Sequence, residues 1–394
     1  MLRRVVQANN RDYLFSPDDP PPFGARMQAI VKLRVVDEIT GGAPDSEIVI
    51  KPIESGLAPR VASDGICGIV GIPQQVFSLL KTNPYTINFS ISANRYVPVT
   101  LTVTFTPQGN FPDDFVPKTL PDIALHRQPT VIFGRTVRMN GNSPTPMSGA
   151  TVSVLSIRRT PPDPNLFVVP DPPNLVALRP PLYRDRAPLT TFIQQRNLLP
   201  AATPNKLLVQ DLLPGTTQLL LSDRVGLNVG DVLLIDVGEP DLAEFVIVNN
   251  FPVVNPPDQH TLITLEYPLA NAHRRNAVVR QETPQPPGAQ QHFTVDAITG
   301  DTCVFLDGVG ALSTAQQVQI TAAGAADEYH QLMRFSVLSD ADGYYRLPPL
   351  SRVAQVEIHA EKIVGPQTFQ TTPPPTFSPD YRLPENRLDL MLKL

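Results

Sequence analysis

The sequence predicts an all-β chain. It reads as two β-sandwiches, the second interrupted by an insert of two small barrel-like repeats, with extended proline-rich arms. Three observations carry that prediction. Short β-branched runs bounded by Gly, Pro, Asn or Asp recur along the whole chain. Four blocks of sequence appear twice in the same order. Proline supplies 45 of 394 residues, about twice average usage, while the 22 glycines are unremarkable.

The strand runs are IVKLRVV (30–36), EIVIKPI (47–53), YTINFSISA (85–93), VTLTVTF (99–105), TVSVLSI (151–157), QLLLSD (218–223), DVLLIDV (231–237), EFVIV (244–248), TLITLEY (261–267) and QVEIHA (355–360). Many alternate apolar with polar residues, the period of a half-buried strand. The best helical candidates are QQVFSLLK (74–81) and PLTTFIQQRNLL (188–199), each too short to anchor an α/β unit.

The repeated blocks define the modules. IVKLRVVDEITGGAPDSEIVIKPI (30–53) matches TVIFGRTVRMNGNSPTPMSGATVSVLSI (130–157) as strand, proline-containing turn, strand. RVASDGICGIVGIP matches SVLSDADGYYRLPP, YTINFSISANRY matches AQVEIHAEKIV, and DDFVPKTLPDIALHR (113–127) matches PDYRLPENRLDLMLKL (379–394). A conserved order of four blocks indicates internal duplication. In the first copy the strand pair and the Ser-Asp-Gly turn are about ten residues apart, whereas in the second a long insert separates Ile157 from Ser339.

The insert has a repeat of its own. GTTQLLLSDRVGLNVGDVLLID (215–236) aligns with GDTCVFLDGVGALSTAQQVQIT (300–321) at an offset of 85 residues, and Ala243-Glu244 falls close to Asp327-Glu328 at the same offset. The expected organisation is an N-terminal arm (1–22), sandwich 1 (23–127), a discontinuous sandwich 2 (128–159 with 334–394), a proline-rich extended arm (160–205), and small β repeats at 206–284 and 285–333. In the arm TPPDPNLFVVPDPPNLVALRPPLYRDRAP (160–188), prolines remove backbone donors and favour polyproline II or edge conformation. Such an arm orders by lying against something, which points to packing in an assembly, with packing inside the same molecule as the other reading.

The totals narrow the class of function. Several cores fit in 394 residues. A net charge of −5, with the 32 Lys and Arg spread along the chain, argues against a phosphate-binding face and hence against nucleic acid as a partner. Cys67 and Cys303 sit in apolar strand-like runs, the setting of buried reduced thiols, and two cysteines make no disulfide scaffold. No apolar window suits a membrane span, and MLRRVVQANNRDYLF lacks a secretory core, so synthesis in the cytoplasm without a signal peptide is expected.

The segment VIFGRTVRMNGNSPTPMSGATVSVLSI, followed later by FSVLSDADGYYRLPPL and AQVEIHAEK, resembles the carboxypeptidase regulatory-like, or transthyretin-like, β-sandwich. The shared features are a strand ending in Gly, a Ser-Gly-Ala start of the next strand, and an Asp-x-x-Gly-x-Tyr hairpin. The resemblance covers about 95 residues of the second copy and, more faintly, about 105 of the first, where Asp64-Gly65 keeps the turn but Ile66 and Cys67 replace the tyrosines. It implies an immunoglobulin-like spacer or docking platform and is weakly specific for function.

Chemistry-bearing residues are sparse. Asp340, Asp342 and Gly343 could open a calcium loop, but Tyr344 to Leu350 holds no carboxylate to complete it, so a hairpin turn is expected. His126, His260, His273, His292, His330 and His359 never fall at metal-ligand spacing. Glu244 and Glu328, equivalent in the repeat, could be paired catalytic carboxylates, although a repeated residue more naturally marks a fold position. Arg158-Arg159 and His273-Arg274-Arg275 read as solvated loop charge, with an acidic neighbouring subunit as the other reading. Tyr344, Tyr345, Phe377 and Tyr381 read as core residues before they read as a sugar-stacking face.

The expectation is a non-enzymatic structural protein with no catalytic, cofactor-binding or metal site. It would be a fibre, baseplate, cap or collar component of a phage-tail-like contractile injection particle, contacting other subunits and forming homo-oligomers. That particle would be released or virion-like. A surface adhesin or carbohydrate-binding protein, and an enzyme with its site in residues 206–332, are the alternatives.

Overall fold

The computed structural model describes residues 4–8, 11–15, 29–52, 57–71, 82–107, 117–140, 143–160, 166–168, 174–312 and 316–394. The fold over these residues is all-β, in two compact units, Met1–Gln128 and Pro129–Leu394. The helical expectation at 74–81 lies outside the described residues. That at 188–199 is corrected: the segment forms the strands Thr191–Gln195 and Leu198–Pro200. Its apolar residues find partner strands on either side, and tertiary pairing overrides a weak local propensity.

In the first unit, Arg4–Ala8 pairs antiparallel with Arg11–Phe15, so the N-terminal arm contains a strand pair. The sandwich proper has one sheet built on Ala29–Asp37, which pairs antiparallel with Ile66–Val70, itself paired with Ala58–Val61. Its other sheet runs Val49–Pro52, Tyr85–Ser92, Val99–Phe105. Alternation explains the core: Val31, Leu33 and Val35 face Ile87, Phe89 and Ile91, while Arg34, Thr86 and Ser90 point outward. Burying a side chain such as Phe89 contributes about 2–3 kcal/mol.

The second unit builds its sandwich in the same way. Val131–Asn140 takes the place of Ala29–Asp37 and pairs antiparallel with Ser143–Pro146 and Tyr344–Arg346. The opposite sheet is built on Thr151–Arg159 and Val353–Val364, extended by Gln367–Gln370. In both units the first sandwich strand also takes parallel partners from the end of the module. These are Lys118–Thr119 and Ile123–Leu125 in one, Glu385–Arg387 and Leu390–Leu392 in the other.

The Ser-Asp-Gly turns recur for a steric reason. Gly65 and Gly343 have φ of +75° and +76°, and a Cβ there would lie 2.1 Å from the Val35 carbonyl oxygen and 2.7 Å from that of Thr136. Each turn therefore packs against the first strand of its sandwich at a point where only glycine fits.

Two barrels interrupt the second sandwich, one nested inside the other. The inner barrel orders its strands Leu198–Pro200, Val278–Pro284, Val232–Ile235, Glu244–Asn250, Thr261–Leu265, Gln218–Leu221, with Lys206–Leu207 also on Val278–Pro284. The outer barrel runs Gln290–His292, Thr191–Gln195, Gln317–Ala322, Glu328–Arg334, Leu175–Arg179, Cys303–Phe305. Bridges Leu208 to Leu221 and Phe293 to Leu306 close the two barrels at equivalent places.

The barrels share one strand order but not one chain order. Thr261–Leu265 and Val278–Pro284 end the inner barrel, whereas their counterparts Leu175–Arg179 and Thr191–Gln195 begin the outer one. The outer barrel is thus a circular permutant of the inner, interrupted by it.

This corrects two expectations. The described part of the expected arm at 160–205 is built into the barrels: Leu175–Arg179 is a buried strand between Cys303–Phe305 and Glu328–Arg334. Its run LVALR is apolar enough to fill a barrel wall, and the prolines at 180, 181 and 188 fall in the connection that follows, where no ladder donor is lost. Likewise 285–333 is no complete repeat, because it needs those two earlier strands to close. The sandwich packs on the outer barrel through Leu175, Ala177, Cys303 and Phe305, which share a core with Val154, Leu350 and Val356.

Candidate functional site

The residues singled out by the internal repeat meet at the seam between the two barrels. Glu244 opens the strand Glu244–Asn250 and Glu328 opens Glu328–Arg334, and both carboxylates are sealed from solvent. Leu198, Val232, Leu234, Ala243, Phe245 and Tyr329 pack around the seam as its apolar floor.

Each glutamate is met by a cation on the permuted half of its barrel. Glu244 lies 3.1 Å from Nε2 of His273 and accepts the backbone N–H groups of Ala270 (2.7 Å) and Asn271 (3.0 Å). Glu328 accepts the Arg186 guanidinium at 2.5 Å and the backbone N–H of Tyr183 at 3.2 Å. The main chain fixes the equivalence, since His273 exchanges reciprocal backbone bonds with Leu212 and Arg186 does so with Ala297. Asn276 and Leu189, three residues beyond His273 and Arg186, share a left-handed backbone, with φ of 69° and 62°.

Side chains cross the seam in both directions: the Tyr267 hydroxyl donates to the Ala326 carbonyl, Arg184 pairs with Glu266 at 2.9 Å, and Tyr183 reaches Glu244. The Tyr183 hydroxyl donates to Glu244 at 2.8 Å and to the Phe245 carbonyl at 3.1 Å. Its ring stacks on Tyr267, with centroids 5.2 Å apart and planes 7° apart, and Arg184 covers the other ring at 4.6 Å. Burial, together with the negative charge of Glu244, pushes the Tyr183 phenol well above its ordinary pKa, so it remains a donor.

The electrostatics are those of a charge-balanced joint. The two ring nitrogens of His273 face carboxylates, Nδ1 at 2.6 Å from Asp236 and Nε2 on Glu244, a setting that favours the imidazolium, which donates from both. Burial would lower its pKa, but the hydrogen bonds and charges of Glu244 and Asp236 outweigh that and raise it. Burial likewise works against an ionised Glu328. The hydrogen bond and charge of His330, the charge of Arg186 and the Tyr183 N–H hold it below the usual carboxylate value.

Chemically, this arrangement braces each barrel from within and ties the two together through Tyr183, Tyr267 and Arg184. The two carboxylates face their own cations and have no open side from which a substrate could reach them. Sequence reasoning found Glu244 and Glu328 and missed Tyr183, Arg186, Asp236 and His330. The signal available was a second offset, of 87 residues, linking Tyr183 and Arg186 to Ala270 and His273.

His273 and Arg159 are not solvated loop charge: His273 is in the seam, and Arg159 is buried on a strand with its guanidinium on the Asp296 carbonyl at 3.2 Å. Arg158, Arg274 and Arg275 are exposed. The Asp340 carboxylate accepts the backbone N–H groups of Asp342 and Tyr344, both at 2.9 Å, as a turn residue does. Tyr345 and Tyr381 are buried, Phe377 is partly buried, and Tyr344 is exposed beneath Arg135 at 4.0 Å.

Among the described residues no cluster of three or more His, Cys, Asp or Glu is arranged to hold a metal ion. His126 pairs with Glu38 at 2.6 Å, His292 with Asp307 at 3.3 Å, His359 lies 3.8 Å from Glu361, and His260 is exposed. Burial pushes the Cys67 thiol up to about 12 and that of Cys303 up to about 11.

A cleft of about 290 Å³ opens where the second sandwich meets both barrels, between Val131, Arg346 and Pro349, Leu178 to Pro181, and Asp241 with Asn271. Its cations are already paired, Arg179 with Asp241 and Arg346 with Glu385, each at 2.7 Å. The Thr302 hydroxyl in its wall donates to the Pro349 carbonyl. Among the described residues no helix is long and apolar enough to cross a membrane.

No protein-family model matches the chain, and no curated protein matches it. Among solved structures, it is similar to the major pilin subunit BcpA of Bacillus cereus at 9% identity, over 92% of this chain and 98% of that one, with a TM-score of 0.19. The extracellular domain of protocadherin GammaB4 is matched at 9% identity over 99% of this chain and 89% of that one, with a TM-score of 0.10. Likeness at that level carries no argument about fold or function.

Proposed function

We propose that this chain is a non-enzymatic structural protein, and specifically a fibre, baseplate, cap or collar component of a phage-tail-like contractile injection particle. The observation that carries the structural reading is the barrel seam. The carboxylates placed where an active site could have been are walled in, their hydrogen bonds spent on closing each rigid β module and, through Tyr183, on tying one to the next. The particle assignment rests on analogy with tandem β modules in such machines. Among the described residues Val99–Phe105 ends its sheet, the kind of position at which a neighbouring subunit could add a strand.

The test is size-exclusion chromatography with light scattering on the isolated chain, beside imaging of particles purified from the native source. A defined oligomer, or the chain located at a fixed place in a tail-like particle, is the expected result. A stable monomer with hydrolytic activity would overturn the reading.

A further inference from the structure

We infer that His273 is a pH-sensitive latch within the inner barrel, tying Glu244 to Asp236, and that mildly alkaline conditions loosen that barrel selectively. The inference is independent of the assembly reading above.

It stands on the comparison that the permuted repeat makes possible. At one structural position the outer barrel carries Arg186 and the inner barrel His273, each facing the buried glutamate of its own barrel. A guanidinium keeps its charge at any pH the protein meets; an imidazolium does not. In addition, His273 serves two carboxylates, Glu244 and Asp236, where Arg186 serves one.

Loss of the proton has a defined geometric consequence. A neutral imidazole has one N–H, so one ring nitrogen would turn a lone pair on a carboxylate oxygen 2.6 or 3.1 Å away. Glu244 and Asp236 would then sit side by side with no cation between them, a costly arrangement for charges withdrawn from water.

The other groups facing this site do not replace the lost charge. Tyr183 gives Glu244 a neutral donor, and Ala270 and Asn271 give it backbone N–H groups. Arg184 is engaged with Glu266 at 2.9 Å, and Arg274 and Arg275 point to solvent. The backbone N–H of Arg275 is held by Asp211. On the outer side Glu328 has Nε2 of His330 at 3.1 Å, with Nδ1 of that ring 2.8 Å from the Pro180 carbonyl, and it also keeps the Arg186 guanidinium, whose charge is independent of pH.

Hydrogen exchange read by mass spectrometry on the full chain between pH 6 and 9, corrected for intrinsic chemical exchange, tests this, because the outer barrel is the internal control. Opening of inner-barrel peptides spanning 244–250 and 270–277 should increase about tenfold per pH unit above the ordinary histidine value, then level off, because opening releases one proton. Outer-barrel peptides spanning 183–189 and 328–334 should respond much less, because Glu328 keeps Arg186 throughout. His273→Arg should flatten the inner response, and Arg186→His should enlarge that of the outer barrel. Equal pH responses of the two wild-type barrels, or an undiminished inner slope in H273R, would overturn the inference. Should H273R fail to fold, the wild-type comparison and R186H still decide it.

Discussion

Tyr183 and Glu244 belong to different barrels, and the 2.8 Å bond from the tyrosine hydroxyl to the carboxylate is a direct polar tie across the seam. The backbone N–H of the same tyrosine is bound to Glu328, so one residue touches both repeated glutamates. Tyr183→Phe keeps the ring and its stack on Tyr267 but leaves a buried carboxylate oxygen short of a donor. It should cost about 1–3 kcal/mol, measured as a shift in denaturant midpoint with unchanged slope.

Removing a glutamate is more severe than removing its donor. Glu244→Ala strands His273 against Asp236 alone and frees two backbone N–H groups, while Glu328→Ala leaves Arg186 buried without its carboxylate. Each should destabilise by about 3–5 kcal/mol, the range for a broken buried ion pair. Glu328→Ala should be the worse of the two, because a guanidinium cannot shed its charge. Equilibrium denaturation of both variants checks the magnitude and the order.

The two equivalent glycines permit a graded test. A methyl at Gly65 would sit 2.1 Å from the Val35 carbonyl oxygen, and one at Gly343 would sit 2.7 Å from that of Thr136. Gly65→Ala and Gly343→Ala should each cost more than about 1 kcal/mol, since both also force a side chain into positive φ. Thermal melts should rank Gly65→Ala as the more damaging.

Acid should weaken both units through different carboxylates. In the first unit burial alone would raise the pKa of Asp37, but the Tyr96 hydroxyl, the N–H groups of Thr40 and Ile39 and the Arg127 charge together lower it. Glu328 is lowered in the second unit. A depressed carboxylate contributes stability that is present above its unfolded value and lost as pH falls through the folded one. Stability should therefore fall steeply below about pH 4, and Asp37→Asn should blunt that fall in first-unit peptides followed by hydrogen exchange at pH 3 to 6.

The two thiols should be inert in the native chain. Cys67 and Cys303 are free, buried and raised to about 12 and about 11, so thiolate is scarce near neutrality. Maleimide labelling at pH 7.5 should be negligible before denaturation and reach both cysteines after it, as read by intact mass.

Much of the fold was legible because strands announce themselves locally. Alternation in 30–36 and 85–93, and the glycine at each Ser-Asp-Gly turn, reflect nearest-neighbour sterics and the period of the pleat, which a linear sequence records. The nesting was not legible. Leu175–Arg179 pairs with residues far along the chain, and prolines on either side made it read as an arm. The site followed the same division. Glu244 and Glu328 stood out through their offset, whereas Tyr183 and Arg186 belong to the permuted half, where the repeat runs in a different order along the chain.

The arrangement of module within module also fixes a timetable for synthesis. Like nested brackets, the structure closes from the inside outward. The inner barrel has all its strands once residue 284 has emerged, the outer barrel only at 334, and the surrounding sandwich only when Leu390–Leu392 arrives to lie beside Val131–Asn140. The opening strands of that sandwich therefore have only the short neighbours Ser143–Pro146 and Leu166–Val168 until some 200 further residues have been translated. At about 5–20 residues per second, this exposes an apolar strand for tens of seconds and makes the nascent chain a natural client for a holding chaperone.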